Sequence, residues 1–452
     1  MKNSDSSKRE SFGSQIGVIA AAAGSAVGLG NIWRFPYITG ENGGAAFVLI
    51  YLGIVIVLGV PVMLSELIIG RKSQRNAFGA FKKLAPGKPW SIVGLMGVVA
   101  AFVILAFYST VAGWTLEYLM NSIANQFSGK SPNEINLMFD NFISSDIRPV
   151  IWQLVFMFLT AFIVYKGIQN GIEKASKVMM PLLLVLIIIL DIRAVTLPGA
   201  ETGINFFLKP DFSKVTGHTF LMALGQAFFS LSVGMGCLIT YGSYIQKNNN
   251  LPNISYVTSI ADTFIAFLAG LIIFPAAFAF GINPGQGPDL VFKTLPNIFL
   301  QMPGGYVFAI MFFLLIVLAA LTSTISVLEV VVTYFIEELK LKRHLATVIG
   351  AVSISILGVF CTLSFSGLAN FKILNKTVFD LFDFTSANIL LPLGGLLIVV
   401  FVGWVLKKEQ VKAEISNDGA KKAVLFPVFL LILKFIAPIA IALVFLNGLG
   451  IL

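Results

Sequence analysis

Charge is scarce in this chain. Asp, Glu, Lys and Arg make up 12% of its 452 residues, about half the share that covers an average soluble domain. A water-soluble fold of this length is thereby excluded, because it would have to turn apolar surface to water. Cysteine and histidine are scarcer still, two of each. Cys237 and Cys361 sit alone in apolar stretches, and His218 and His344 fall near the ends of such stretches. Neither a disulfide framework nor a metal cluster has the residues it needs. No set of nucleophile, base and orienting acid stands out, which leaves no argument for an enzyme.

What the chain has is apolar length. Hydrophobic residues make up 57% and the mean hydropathy is +0.89. Stretches near twenty residues recur, each matching the ~30 Å hydrocarbon core of a bilayer. In lipid they must be helical, since no water satisfies open backbone groups. Eleven spans are expected, near 13–38, 43–70, 91–124, 149–166, 172–195, 216–244, 254–281, 304–337, 346–367, 382–406 and 424–448. The first run is too long for a cleavable leader. The net charge of +9 is unevenly placed: 21 of the 31 basic residues fall at the tail and in alternate loops, including Arg71 to Lys88, Lys340 to Arg343 and Lys407 to Lys422. That asymmetry predicts a multi-pass protein of the inner cell membrane with a cytoplasmic N-terminus and, after eleven spans, an external C-terminus. The charge is topological, so nucleic acid is not an expected partner.

Two spans carry glycine where a lipid-facing helix avoids it. The first reads Gly24-Ser25-Ala26-Val27-Gly28-Leu29-Gly30-Asn31, the sixth Phe229-Ser230-Leu231-Ser232-Val233-Gly234-Met235-Gly236. Each interior glycine costs about 1 kcal/mol relative to alanine, so several together predict local unwinding. Such backbone is tolerated at membrane depth only beside a cavity or within protein. Close helix packing is the plainer alternative, and Gly24 and Gly28 have the small-xxx-small spacing for it. The echo between the two stretches favours unwinding, because Val27-Gly28-Leu29-Gly30 returns as Val233-Gly234-Met235-Gly236 five spans later. The expected organisation is a tail (1–12), a five-helix unit (13–195), a second unit of opposite orientation (216–406) and an eleventh helix (424–448). Interrupted helices at matching places of two halves point to a transporter's binding site.

From Gly24 to Asn31, through Ile32-Trp33-Arg34-Phe35-Pro36-Tyr37, to Glu41-Asn42-Gly43-Gly44-Ala45 and Phe47, the chain resembles the opening of the neurotransmitter:sodium symporters. The resemblance continues through Pro61 to Gly70, Tyr108 to Thr115, Gln226 to Tyr244, Ala319 to Ser323 and Asn375 to Phe384. It points to the bacterial branch that ends after eleven helices and carries amino acids of the tyrosine or tryptophan type. The implied fold class is an all-α polytopic membrane protein, an inverted five-plus-five helix repeat with broken helices 1 and 6 plus an eleventh helix. The implied activity is sodium-coupled import of a small solute by alternating access.

The resemblance implies two sodium ions. One lies between the first and eighth spans, on the carbonyls of Gly24, Val27 and Ala319 and the hydroxyls of Thr322 and Ser323. The residues suit it: hard cations take oxygen ligands, and Thr322-Ser323-Thr324 is a hydroxyl cluster in an apolar helix. The same hydroxyls could instead bond back to carbonyls of their own preceding turn. The other ion is held by the carbonyl of Ala26, the side chain of Asn31, Ser230 and a residue of the seventh span. Here the chain departs from the family pattern. Counted back from Gly270, the position usually holding asparagine is Asp262, and the position where chloride-dependent relatives carry serine is Ala266. A carboxylate inside a span is costly and marks function by default. Asp262 would ligate sodium and supply the negative charge that chloride supplies elsewhere, so no chloride requirement is expected; a structural hydrogen-bonding role is the alternative. Of the other intramembrane acids, Glu66 is implied to brace the unwound backbone, while Glu117 and Glu329 read as packing groups, with a conformational or proton-linked role as the alternative.

Relatives that carry amines without a carboxylate bring their own aspartate, and the matching position here is Gly28. The solute should therefore be an α-amino acid whose carboxylate meets free amides of the break. Its pocket is expected from Ser25, Leu29, Ile104, Tyr108, Phe229, Ser232, Met235, Ser323 and Val327, with Ala26, Gly30 and Ser230 beside them. The lining is mostly apolar, as small-molecule sites are. Met235, a flexible thioether that can move aside, favours large hydrophobic or aromatic side chains, although a methionine here could simply be core. The outer gate is expected from Arg34 and Asp383 with Tyr108 and Phe229 closing over the solute, Asp380 being a second acid one turn away. The inner gate is expected from Arg9 and Glu337, near Tyr244. A sodium channel is disfavoured by gates at both ends, whereas a non-transporting amino-acid sensor would share every feature above.

Overall fold

The computed structural model describes residues 10–281 and 290–452. Among them the chain is helical throughout, with one isolated β-bridge between Ile373 and Lys376. Among the described residues nine helices are long and apolar enough to cross a bilayer: Ala45–Ser73, Ser91–Ile123, Arg148–Tyr165, Ile168–Val195, Leu251–Ala279, Gly305–Glu337, Arg343–Leu363, Val378–Val405 and Phe426–Gly448. Gln15–Ala26 and Gly30–Glu41 form a further pass, bent by 51° at its break. Gly217–Ser230 and Cys237–Gly242 are each too short to cross alone. The chain must nevertheless return between the fifth and seventh spans, and these two pieces carry it. Counted with this pair, the described residues make eleven passes in chain order, within a few residues of those read from hydropathy.

Contacts between loops sort the two ends of the bundle. At one end Phe12 N–H donates to the Tyr244 carbonyl, Gly13 N–H to Glu173, Asn76 to Glu337 and Arg71 to Asn249. At the other, Asp146 accepts from Gly367 N–H, Lys293 pairs with Asp140 and Tyr306 donates to the Ile123 carbonyl. Residue 10 lies at the first end. An odd number of passes carries the other terminus to the opposite face.

Burial grades the spans from centre to rim. In the most apolar window of Leu251–Ala279 and of Gly305–Glu337, 67% of residues are buried, against 33% in Arg148–Tyr165 and 28% in Phe426–Gly448. The seventh and eighth spans are therefore central. The fourth and eleventh keep large side chains such as Phe158, Phe162 and Ile439 outward. Those exposed apolar faces suit lipid, which an aqueous surface would not.

Candidate transport site

The two predicted breaks face each other at the middle of the bundle. The first helix ends at Ala26; Val27 is extended and its N–H closes on the Ala23 carbonyl at 2.7 Å. The sixth opens from Leu231 to Gly236, and Gly234 has φ +87°. A Cβ at Gly234 would lie 2.5 Å from the Leu391 carbonyl oxygen, so this position needs glycine both for its backbone and for its neighbour. Side chains hold the exposed backbone groups. Glu66 Oε1 accepts from Gly234 N–H at 2.7 Å, the bracing role implied for it. Ser232 Oγ donates to the Ser25 carbonyl at 2.8 Å, and Gln226 Nε2 to the Gly30 carbonyl at 3.0 Å. Tyr108 OH accepts from Leu29 N–H at 3.0 Å. For Gln226 the sequence offers a place at the start of a family-like stretch and an amide side chain among apolar neighbours, but no role.

Asn31, Ser230 and Asp262 converge from the first, sixth and seventh spans. Asn31 Nδ2 donates to Asp262 Oδ1 at 2.7 Å and to Ser230 Oγ at 3.1 Å, while its Oδ1 accepts from Gly28 N–H at 2.9 Å. The Ser230 hydroxyl donates to Asp262 Oδ2 at 2.8 Å. Asp262 is fully buried, and these partners are all neutral. Ala266 is also fully buried and offers no hydroxyl.

A second oxygen cluster joins the first and eighth spans. The Thr322 hydroxyl lies 3.0 Å from the Ala319 carbonyl, 3.1 Å from that of Leu318 and 3.5 Å from that of Val27 across the interface. The back-bonded geometry is thus present. It occupies the hydroxyl proton and leaves the oxygen lone pairs free for a cation. Gly24 is the close approach here, since a Cβ would stand 3.2 Å from Thr322 Cβ. A Cβ at Gly28 would lie 2.9 Å from Tyr108 OH and 3.2 Å from Ser323 Cβ, so an acidic side chain has no room there.

Between the clusters lies a cavity of ≈ 30 Å³. Ala26, Gly30, Ile104, Tyr108, Phe229, Ser230, Ser232, Met235, Ser323 and Val327 line it, together with Leu105 and Thr324. None of these residues is charged. Ser25 and Leu29 fall outside its wall. Ser25 stands behind, tied through its carbonyl to Ser232, and Leu29 faces a second cavity. That vestibule, ≈ 330 Å³, also holds Trp33, Arg34, Tyr37, Asp380 and Asp383. Gly30, Tyr108 and Phe229 border both cavities. Arg34 and Asp383 share the vestibule without closing into an ion pair; the guanidinium instead lies 4.3 Å from the centroid of the Phe229 ring.

The opposite end carries a different set of charges. Glu329, fully buried, accepts from Tyr244 OH at 2.6 Å and from Arg343 Nη1 and Nη2, each at 2.9 Å. Arg343 also pairs with Glu10 at 3.2 Å. Glu329 is therefore an ion-pair partner and more than a packing group. Arg9 lies outside the described residues. Glu337 accepts from Asn76 and stands 3.9 Å from Arg75. Glu117 is likewise an ion-pair partner, 2.6 Å from Arg148, with Asn121 donating to it at 3.0 Å and Trp152 beside it, toward the other end.

A closed apolar pocket between two broken helices, flanked by buried oxygen clusters, defines a secondary transporter built on inverted repeats. The model of the sodium:neurotransmitter symporter family matches residues 9–138 and 136–450. An uncharacterized sodium-dependent transporter of Bacillus subtilis (strain 168), YhdH, is 42% identical over 441 residues, 98% of each chain. Another from Haemophilus influenzae is 40% identical over 453 residues, again 98% of each. Among solved structures, MhsT in complex with L-phenylalanine matches with a TM-score of 0.90 at 46% identity, over 98% of this chain and 100% of that one. The chain belongs to the sodium:neurotransmitter symporter family, and it is a multi-pass, sodium-dependent membrane transporter.

Proposed function

We propose that this protein imports an α-amino acid with a large hydrophobic or aromatic side chain, coupled to two sodium ions and without chloride. The observation that carries the reading is the uncharged pocket set against unwound backbone: nothing in its lining would pair an amine, and Gly28 is too tightly packed to become an acid. A solute held there brings its own carboxylate. MhsT, solved with L-phenylalanine, supports the choice of side chain.

In this reading one sodium is held at Asn31, Ser230 and Asp262 with the Ala26 carbonyl, the other at Gly24, Val27, Ala319, Thr322 and Ser323. Asp262 adds the second negative charge that two cations and one substrate carboxylate need in a low-dielectric site. Tyr108 and Phe229 are the inner leaves of the outer gate, with Arg34 and Asp383 closing above them. Glu329, Arg343 and Tyr244 hold the inner gate, beside Glu337. Sodium and solute each favour the state that binds the other, so coupling is reciprocal. The two five-helix units are 13–195 and 216–406, and the end that holds Arg343 faces the cytoplasm of an inner membrane.

The test is uptake of a panel of radiolabelled amino acids into proteoliposomes under an inward sodium gradient. Sodium-driven accumulation of tryptophan, tyrosine, phenylalanine or leucine is expected. Sodium-dependent binding with no uptake would make the protein a sensor instead.

A further inference from the structure

Entry of a large side chain into this site depends on a space outside it. The central cavity of ≈ 30 Å³ has no room for an aromatic ring, and its wall toward the vestibule is Phe229. That side chain is hemmed in on two sides. A Cβ at Gly30 would lie 3.1 Å from Phe229 Cδ1 and Cε1, and the Arg34 guanidinium stands 4.3 Å from the ring centroid. Phe229 also lines a separate cavity of ≈ 140 Å³ between the sixth, tenth and eleventh spans. Gly225 lines the same cavity, one helical turn before Phe229 and on the same face. A Cβ at Gly225 would meet only Val444 Cγ1, at 3.9 Å, so the space beside it is open. A helical side chain leans over the turn N-terminal to its own Cα. The retreat for the Phe229 ring therefore runs over Gly225 into that space.

We propose that Gly225 is a specificity-determining residue: by keeping this side cavity open, it lets the Phe229 ring withdraw when a large amino-acid side chain fills the central pocket. The inference rests on amino-acid transport as proposed above. Small side chains leave Phe229 nearly where it stands and need the space little. Bulk at position 225 penalises large substrates selectively, although it never touches them.

The test compares sodium-dependent uptake of valine, leucine, phenylalanine and tryptophan by the wild type, Gly225→Leu and Ala387→Leu, the last adding bulk to the same cavity from the tenth span. Gly225→Leu should raise the half-saturation concentration for tryptophan and phenylalanine about tenfold or more relative to valine, the scale on which a pocket discriminates by size. Adding Phe229→Leu, which shortens the side chain that needs the room, should restore much of the lost ratio. If Gly225→Leu fails to reach the membrane, the same shift in Ala387→Leu decides the matter. Equal losses for all four substrates, or no recovery in the double variant, would overturn the inference and leave the transport reading standing. A wild type that carries none of the four with sodium would remove the transport reading and this inference with it.

Discussion

Asn31 on the first span and Asp262 on the seventh are joined at 2.7 Å, amide N–H to carboxylate oxygen, with no solvent access to either. The bond ties the broken helix to its neighbour at the level of the break. In the proposed reading Asp262 also supplies a negative charge there for a sodium ion to neutralise. Wild-type uptake should be unchanged when chloride is replaced by gluconate. Asp262→Asn should lower apparent sodium affinity about tenfold or more, the scale of a lost charge-assisted contact. Chloride should restore part of that loss only when Ala266→Ser is added. Strong chloride dependence of the unmutated protein would sink the assignment.

At the opposite end Arg343 neutralises a fully buried Glu329. Removing one partner of such a pair costs about 3–5 kcal/mol, because the other is left charged and unpaired. Arg343→Gln should therefore loosen this end of the bundle. A cysteine at Ser232, in a background lacking Cys237 and Cys361, should become reactive toward an impermeant thiol reagent applied from the Arg343 face. No change in labelling would mean that this pair does not hold the gate.

Met235 borders the central cavity. Met235→Phe exchanges a flexible side chain for a rigid ring, so tryptophan and tyrosine should bind more weakly while leucine changes little. The difference should reach about tenfold, the worth of a poorly fitted group in an apolar pocket. Displacement of a bound radiolabelled amino acid measures it. Equal losses for all three would remove Met235 from the specificity determinants.

A reporter fused after Leu452 should read as external, and one inserted in the tenth-to-eleventh loop as cytoplasmic. Ser416 in that loop is buried and its hydroxyl accepts from Gly419 N–H, so the exposed turn at Gly419 is the safer insertion point. Both reporters on one side would contradict an odd number of spans.

The spans, both breaks and the unusual acid at position 262 are legible in the sequence by itself, because hydropathy and glycine content act locally. Twenty apolar residues must be helical in lipid, clustered glycines weaken that helix wherever they fall, and a carboxylate among apolar neighbours is conspicuous without any fold. Which groups meet was decided by packing. Glu329 read as a packing group because its partners Tyr244 and Arg343 arrive from other helices. Arg34 and Asp383 share a vestibule, and there the guanidinium rests over Phe229. Gln226 reaches the Gly30 carbonyl only because the sixth helix lies against the first break. Such pairings depend on helix rotation and crossing, which are set by the fit of whole surfaces, and no single stretch of the chain encodes them.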